Sequence, residues 1–151
     1  MSLIFERPPS GFHFKVEFEL DDKKPSDFRF QEVSGLSVTV ETEEFKEGGE
    51  NRFTHKLPKR TSYGNLELKR GLFSQSAVVD WCKDAIENFE FKPVNVHITL
   101  LNEEHSPIAS WLVVRAYPTE WSVSGFNAQS SDLVVESLKL NYSYFTAKRN
   151  I

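Results

Sequence analysis

Cysteine is scarce in this sequence, long apolar runs are missing, and its histidines lack metal-ligand spacing; each of these absences argues against a class of protein. The single cysteine, Cys82, cannot form an internal disulfide. The histidines show no paired metal-ligand spacing, so we expect no metal site; they are His13, His55, His97 and His105. Uncharged stretches fall well short of the roughly 18 residues of a membrane-spanning helix, so we expect no direct membrane insertion.

Signals for export and for binding phosphate groups are also missing. The first residues, MSLIFERPPSGF, carry neither a basic region nor a long apolar run, so we expect synthesis and folding in the cytoplasm. The formal net charge of −4 argues against sequence-specific nucleic acid binding, because neutralising phosphates needs a concentrated basic surface. The glycines are not followed by the Gly-Lys-Ser or Gly-Lys-Thr of a phosphate loop. We therefore expect no cofactor.

Phenylalanine, by contrast, is abundant, with 13 in 151 residues. Aromatic and β-branched residues favour pleated, half-buried surfaces. Residues 12–20, FHFKVEFEL, alternate strictly between apolar and polar side chains, which predicts a half-buried strand. We expect a second strand over 28–40 with a bend at Gly35, because a glycine inside a strand often marks a bulge or a close backbone approach. Further strands are expected near 66–68, 94–100, 108–117 and 133–145.

One segment has a helical period instead. Apolar residues recur at three- and four-residue intervals from 76 to 89, namely Val78, Trp81, Cys82, Ala85, Ile86 and Phe89. Ser74 or Ser76 can cap its start, and Pro93 cannot continue it. We predict one mainly β domain over 1–151. It is an antiparallel β-barrel or sandwich with one amphipathic helix at about 76–89 and an extended hairpin loop at about 41–56.

The hairpin sequence, ETEEFKEGGENRFTHKLPKR at 41–60, separates its charges. Its first half holds five glutamates and one lysine, and its second half holds two lysines and two arginines. Gly48 and Gly49 permit a tight turn between them. Three interpretations are open: the two arms pair with each other, the segment is a mobile loop, or each end docks on an identical neighbour. The third arrangement produces closed rings or open filaments.

The hairpin glutamates and Cys82 could also be catalytic residues, but the sequence favours other roles for them. Glu41, Glu43, Glu44 and Glu47 could supply the two carboxylates of a glycosidase, but such pairs normally come from separate strands that face a cleft. A solvated charged face is the ordinary alternative. Cys82 lies on the apolar helix face, where a core residue is more common than a nucleophile. We therefore do not expect an enzyme.

Several motifs occur in an order that resembles a known family. They are FQEVSGL at 30–36, EEFKEGGEN at 43–51, KLP at 56–58, YGNLELKRG at 63–71, Trp81, Trp111 with Ala116 and Pro118, and a closing VVESLKL. Over about 12–145 the chain resembles the tail tube proteins of contractile phages and of phage-tail-like contractile injection systems. It is more distantly similar to the haemolysin-coregulated protein of type VI secretion.

The resemblance implies a fold, an assembly and a set of partners. It implies a β-barrel with one helix that forms hexameric rings, which stack into a rigid tube inside a contractile sheath and above baseplate and spike proteins. Cargo could pass through the lumen. The hairpin would reach neighbouring subunits through Glu41, Glu43, Glu44, Phe45, Glu47, Gly48, Gly49, Asn51, Arg52, Lys56, Lys59 and Arg60. Family-motif positions would be Gly35, Leu36, Leu57, Pro58, Tyr63, Lys69, Arg70, Gly71, Trp81 and Trp111.

One position departs from the family pattern, and two other functions compete. The resemblance leads us to expect glycine after Leu57 and Pro58, where this chain has Lys59. Aromatic-rich β-domains also form monomeric lipocalin-like barrels that bind a small apolar ligand, which is the first competing function. The second is a small hydrolase on the same barrel, which the absence of a recognisable set of catalytic residues disfavours.

Overall fold

Ten strands and one helix form within the part of the chain that the computed structural model describes. That part comprises residues 13–20, 26–28, 30–46, 48–49, 52, 54–71, 77–125, 129 and 134–149. The strands are β1 His13–Phe18, β2 Ser26–Phe28, β3 Glu32–Ser34, β4 Val38–Phe45, β5 His55–Tyr63, β6 Leu66–Gly71, β7 Val94–Leu101, β8 Pro107–Val123, β9 Val135–Asn141 and β10 Tyr144–Arg149. The helix α1 is Ala77–Glu87. All strand pairs are antiparallel, so the prediction of a mainly antiparallel β fold with one helix is confirmed.

The long strand β8 belongs to two sheets. Its first half pairs with β7 on one side and β10 on the other, in a sheet that continues to β1 and β2. Its second half pairs with β9, in a sheet that continues to β6 and β3. The change of partner occurs near Arg115, which has a φ of 56° and donates its N–H to Asn95 Oδ1 at 3.2 Å. Among the described strands the sheets do not close into a barrel, so that alternative is not realised.

Both sheets and the helix contribute to one hydrophobic core. Its buried members are Val16, Phe18, Phe30, Leu66, Leu68, Val78, Trp81, Cys82, Val96, Ile98, Val113, Ala116, Leu138 and Leu140. The Trp81 ring lies edge-on against Phe18 with 5.7 Å between centroids, and its Nε1–H donates to the Lys92 carbonyl at 2.7 Å. This hydrogen bond lets a large indole be buried without an unsatisfied donor.

The apolar face of the helix ends earlier than its sequence period predicts. Val78, Cys82 and Ala85 are buried as expected, but Ile86 is 48% exposed and Phe89 is 82% exposed. The prediction was wrong for both residues. Phe89 lies beyond the end of α1 at Glu87, in a turn where its φ is 53°. Ile86 lies within the last turn of α1, which the core does not cover. The proposed caps, Ser74 and Ser76, and the first predicted position, residue 76, lie outside the described residues.

Two predicted strands are each divided. The segment 28–40 becomes β2, β3 and β4, and Gly35 has a φ of +91°, which confirms the bend. The segment 133–145 was predicted as one strand with Tyr144 on the same face as Leu138 and Leu140, which was wrong. Tyr142 and Ser143 lie between β9 and β10, so Tyr144 pairs in the other sheet and is 45% exposed.

Candidate assembly interface

The hairpin β4–β5 extends from the body with both faces exposed to solvent. Its strands form a two-stranded sheet of their own, and every residue of β4 and all of β5 before Tyr63 are exposed. The hairpin therefore runs from Val38 to Tyr63, longer than the predicted 41–56. Because both faces are exposed, these strands are stabilised mainly by the hydrogen bonds between them. A two-stranded hairpin of this kind is marginally stable in water.

Lys59 occupies a β-bulge. Glu41 pairs with Arg60 and Thr42 pairs with Pro58, so Lys59 is the extra residue between them. A bulge bends the strand and increases its local twist, and glycine favours one common type. Lys59, where the resemblance predicts glycine, thus lies at a point where the ladder is irregular.

Opposite charges face each other across part of the ladder. Glu41 Oε2 lies 3.9 Å from Arg60 Nε, and Glu44 is in register with Lys56. These side chains are largely exposed, and an exposed ion pair contributes only about 0–1 kcal/mol. Glu43 is different because it lies opposite Leu57. Pairing across one hairpin therefore explains the opposite charges of Glu41 and Glu44, but it does not explain the charge of Glu43.

Apolar side chains are also exposed on the hairpin, at two places. Val38 and Val40 share one face near the base, and they are 48% and 55% exposed. Phe45 and Leu57 share the opposite face near the far end, and they are 52% and 53% exposed. Burying such side chains contributes about 25 cal/mol per Å² of apolar surface. Both places are candidates for contact with another molecule.

The base of the hairpin is fixed to the body by aromatic packing. Tyr63 lies edge-on to Tyr142 and Phe145, with ring centroids 5.9 and 5.2 Å apart. Next to it, the Gly64 N–H donates to the Ser37 carbonyl at 3.0 Å. Leu36 packs against the core at the same place. The motif residues Leu36 and Tyr63 thus anchor the hairpin.

The turn of the hairpin is described only in part. Gly48 and Gly49 form a turn, with Gly49 at a φ of +91°, and Arg52 is exposed. Glu47 and Asn51, which were also predicted contact residues, lie outside the described residues.

The remaining motif residues support the second sheet and the core. Arg70 Nε donates to Glu136 Oε2 at 2.9 Å, and both side chains are almost fully buried. Glu136 Oε1 accepts from Trp121 Nε1 at 2.6 Å. Lys69 lies 3.7 Å from Glu67 on the outside of the sheet, Trp111 packs partly against the core, and Gly71 ends β6 opposite Val135. The sequence analysis did not identify Glu136, although it stands in the closing VVESLKL motif.

Side chains that could carry chemistry are dispersed in the described structure. His97 Nε2 lies 2.6 Å from Glu19, and His13 Nε2 lies 2.7 Å from His105 Nδ1. A search of the described residues found no group of three His, Cys, Asp or Glu side chains able to hold a metal ion. In the same ranges, no helix is both long and apolar enough to cross a membrane.

Burial raises the pKa of the Cys82 thiol to about 12, and the nearby Glu136 charge adds to this while Arg70 opposes it. We therefore expect no reaction of Cys82 with a disulfide reagent at pH 8 until the protein unfolds, because the thiolate is the nucleophile. Thiol titration with and without urea measures this effect, and rapid labelling of the native protein would contradict it.

The raised pKa of the Cys82 thiol also means that this thiol ionises in the unfolded chain at a lower pH than in the folded protein. The free energy of unfolding should therefore fall as pH rises from about 9 to 12, and the fall should be smaller in Cys82→Ala.

The cavity lined by core residues of α1 and the second sheet is small. The space between Phe30, Val78, Cys82 and Glu136 has a volume of about 10 Å³, enough for roughly one water. Ligand pockets usually have volumes of about 300–1,000 Å³. This enclosed space therefore does not fit the apolar ligand of a lipocalin-like barrel.

Comparison with known proteins identifies relatives along nearly the whole chain. A chain in the cryo-EM structure of the anti-feeding prophage baseplate, 6-fold symmetrised, is 30% identical, with a TM-score of 0.88 and coverage of 95% of this chain and 97% of that one. A chain in the sheath-tube complex of the extracellular contractile injection system PVC, in the extended state, is 25% identical, with a TM-score of 0.80 and coverage of 98% and 96%. Curated protein sequences gave no match.

A more distant likeness concerns the fold alone. Hcp1 from Flavobacterium johnsoniae is 11% identical, with a TM-score of 0.61 and coverage of 91% of this chain and 95% of that one. Together the matches indicate a structural tube component rather than a lipocalin-like binder. The profile of the T4-like virus tail tube protein gp19 matches residues 10–146, and the chain belongs to that family.

Proposed function

We propose that copies of this chain form hexameric rings that stack into the inner tube of a contractile particle, with the exposed hairpin as the joint between subunits. The chain is made in the cytoplasm and has no enzymatic activity. Sheath protein surrounds the tube, and baseplate and spike proteins join its end. The observation that carries the proposal is a hairpin of 26 positions, Val38 to Tyr63, whose described strands are exposed on both faces in a member of the tail tube family.

Unpaired strand edges and exposed apolar side chains favour contact between copies. Strands β4 and β5 pair only with each other in the described residues, so each has one free edge of N–H and C=O groups. Free edges are templates for pairing with another chain. The half-exposed Val38, Val40, Phe45 and Leu57 would become buried in such a contact. A neighbour would thus supply the packing that the isolated hairpin lacks.

The charges of the hairpin would fix the register of the contact. Glu43 has no opposite charge across its own ladder and can be paired by a neighbour. A single exposed ion pair is weak, but a ring presents every copy of the pair together. The relatives come from a 6-fold symmetrised baseplate and from a sheath-tube complex, which supports six-fold rings and a sheath partner here.

Reversing two hairpin charges tests the proposal. The double variant Glu43→Lys with Glu44→Lys should give no tubes in electron micrographs, because like charges would meet at the joint. Its protomer should remain folded, with a free energy of unfolding within about 1 kcal/mol of the wild type, because the changes are exposed. Circular dichroism during thermal unfolding measures the second effect. Normal tubes of the double variant would contradict the proposal.

A charge swap separates contacts within one hairpin from contacts between copies. Glu44→Lys with Lys56→Glu keeps opposite charges across the ladder but reverses the pattern shown to a neighbour. We expect this swap to impair tube formation as the reversal does. Tubes of wild-type length from the swap would mean that these charges act only within a single hairpin.

A further inference from the structure

The long strand edges that remain unpaired in the described structure are of two kinds. They belong to β4, β5, β10 and the second half of β8, each of which has a partner strand on one side only. Strands β2 and β3 also lie at sheet edges but have only three residues each. An unpaired edge exposes a row of N–H and C=O groups to which another chain can add a strand. The edges that stay open therefore limit how copies can join.

Two of these edges are blocked. Strand β5 contains Pro58, and the second half of β8 contains Pro118. Proline has no N–H to donate, and within sheets it is found where the N–H side faces solvent. Each proline lies next to a β-bulge, at Lys59 in β5 and at Thr119 in β8. Natural proteins use both devices to prevent edge-to-edge pairing, so these two edges are poor acceptors of another strand.

Strands β4 and β10 carry neither device. Their sequences, VTVETEEF and YFTAKR, contain no proline, and β10 pairs with β8 without a register shift. The bulge of the hairpin lies in β5, so it adds no extra residue to β4. All of β4 is exposed, and so is all of β10 except Phe145. These two strands are thus the long open edges of the described structure.

The two open edges carry opposite charges. Strand β4 holds Glu41, Glu43 and Glu44, and β10 ends in Lys148 and Arg149. Within the described part of the chain, the ion pairs leave Glu43, Lys148 and Arg149 without a partner. Pairing β4 with β4, or β10 with β10, would place like charges side by side, which is destabilising. The charges therefore favour β4 beside β10.

Resting on the proposed function, we infer that β4 of one copy adds to the β10 edge of another, so that the hairpin extends a sheet of its neighbour. Glu43 then obtains the positive partner that its own hairpin lacks, and the open edges of both strands become hydrogen-bonded. Because β4 and β10 are different surfaces, the contact is heterologous and repeats from copy to copy as a ring or a filament. Each copy uses its β4 on one neighbour and its β10 on the next.

Disulfide crosslinking tests which strands meet. One protein carries Thr146→Cys in β10, and a second, tagged protein carries a single added cysteine at one position of 39–44 in β4. The matched controls carry it at one position of 56–62 in β5, with Pro58 unchanged. Tubes formed from each mixture, alone or within whole particles, are oxidised. Since the native Cys82 is buried, a product that contains both proteins reports contact between two copies.

At least one β4 position should crosslink to Thr146→Cys about tenfold or more above every β5 position. Facing Cβ atoms on adjacent strands are about 4.5–5.5 Å apart, whereas β5 would lie two strands, or about 9–10 Å, from β10. Equal or higher yields from β5 would overturn the inference. Crosslinking of Thr146→Cys to a β4 cysteine of the same chain in dilute, unassembled protein would also overturn it, because the hairpin would then fold back on its own β10.

Two proline variants separate edge pairing from stability. The N–H groups of successive strand residues point to opposite edges, so one of Thr146→Pro and Ala147→Pro removes a donor to β8 and the other removes a donor at the open edge. The variant with the higher melting temperature is the open-edge variant, and its tube yield should nevertheless fall about tenfold or more. Normal tubes from it, with none from the Glu43 and Glu44 reversal, would reject the inference and leave the proposed function standing. Normal tubes from both would reject both.

Discussion

Arg70→Leu is expected to lower the free energy of unfolding by about 3–5 kcal/mol, because it leaves the Glu136 carboxylate buried without its cation. In the folded protein the Arg70 side chain is only 4% exposed and donates from Nε at 2.9 Å. Its guanidinium also lies over the Phe30 ring, 5.2 Å from the centroid. Trp121 continues to donate to Glu136 in the variant, but one neutral donor cannot replace an ionic partner. Urea unfolding followed by tryptophan fluorescence measures the loss.

The neighbouring lysine provides a matched control. Lys69→Leu removes a charge one residue away, from a pair with 3.7 Å between its atoms and about a third of each side chain exposed. Its effect should be less than about 1 kcal/mol. The double variant Arg70→Met with Glu136→Leu should recover part of the loss, because replacing both partners of a buried pair by apolar residues is often neutral but Trp121 Nε1–H loses its acceptor. Equal losses from Arg70→Leu and Lys69→Leu would contradict the buried pair as the cause.

Gly35→Ala is the second change with a large expected effect, about 3 kcal/mol or more. Two causes act together: a φ of +91° that L-residues rarely adopt, and a clash. A Cβ at this position would lie 1.8 Å from the Asn65 carbonyl oxygen, which is backbone and cannot rotate away. The variant should also displace the base of the hairpin, since Ser37 N–H donates to the Gly35 carbonyl at 2.8 Å. Thermal unfolding measures the first effect.

Gly49→Ala isolates the contribution of the clash. Gly49 has the same φ of +91°, but a Cβ there would meet nothing within 4 Å. Its substitution should therefore cost only the conformational part, about 1–2 kcal/mol, within the turn of the hairpin. If both alanine variants lose the same stability, the close approach of Asn65 to Gly35 does not matter.

The sequence predicted strands and the helix well where one face of the element packs on the protein's own core. The alternation over 12–20 gave a strand whose Val16 and Phe18 are buried, and the described helix Ala77–Glu87 lies within the predicted range 76–89. The period of two over 28–40 did not show whether Val38 and Val40 would be covered, because it indicates a strand but not the surface that packs on it. Here β4 leaves the body, and both valines are half exposed.

The hairpin was predictable from the sequence only in part, because local patterns do not reveal contacts between residues that are distant in sequence. The separated charges and the glycine pair located the hairpin, but its length depends on the anchor formed by Tyr63 with Tyr142 and Phe145, which are distant in sequence. The partner of Arg70 lies 66 residues away in Glu136, so spacing could not reveal the pair. Phe89 followed the helical period and was assigned to the core. Only the backbone turn at the helix end shows that it faces solvent.

The sharing of strand β8 between two sheets has a mechanical consequence. A sandwich of separate sheets can yield by slippage along its noncovalent seam. In this protein a torque on one sheet passes to the other through the peptide bonds of Pro107–Val123. Force along β8 loads the ladders to β7, β10 and β9 together in shear. A protomer built in this way resists distortion as one solid body, which suits a structural tube component.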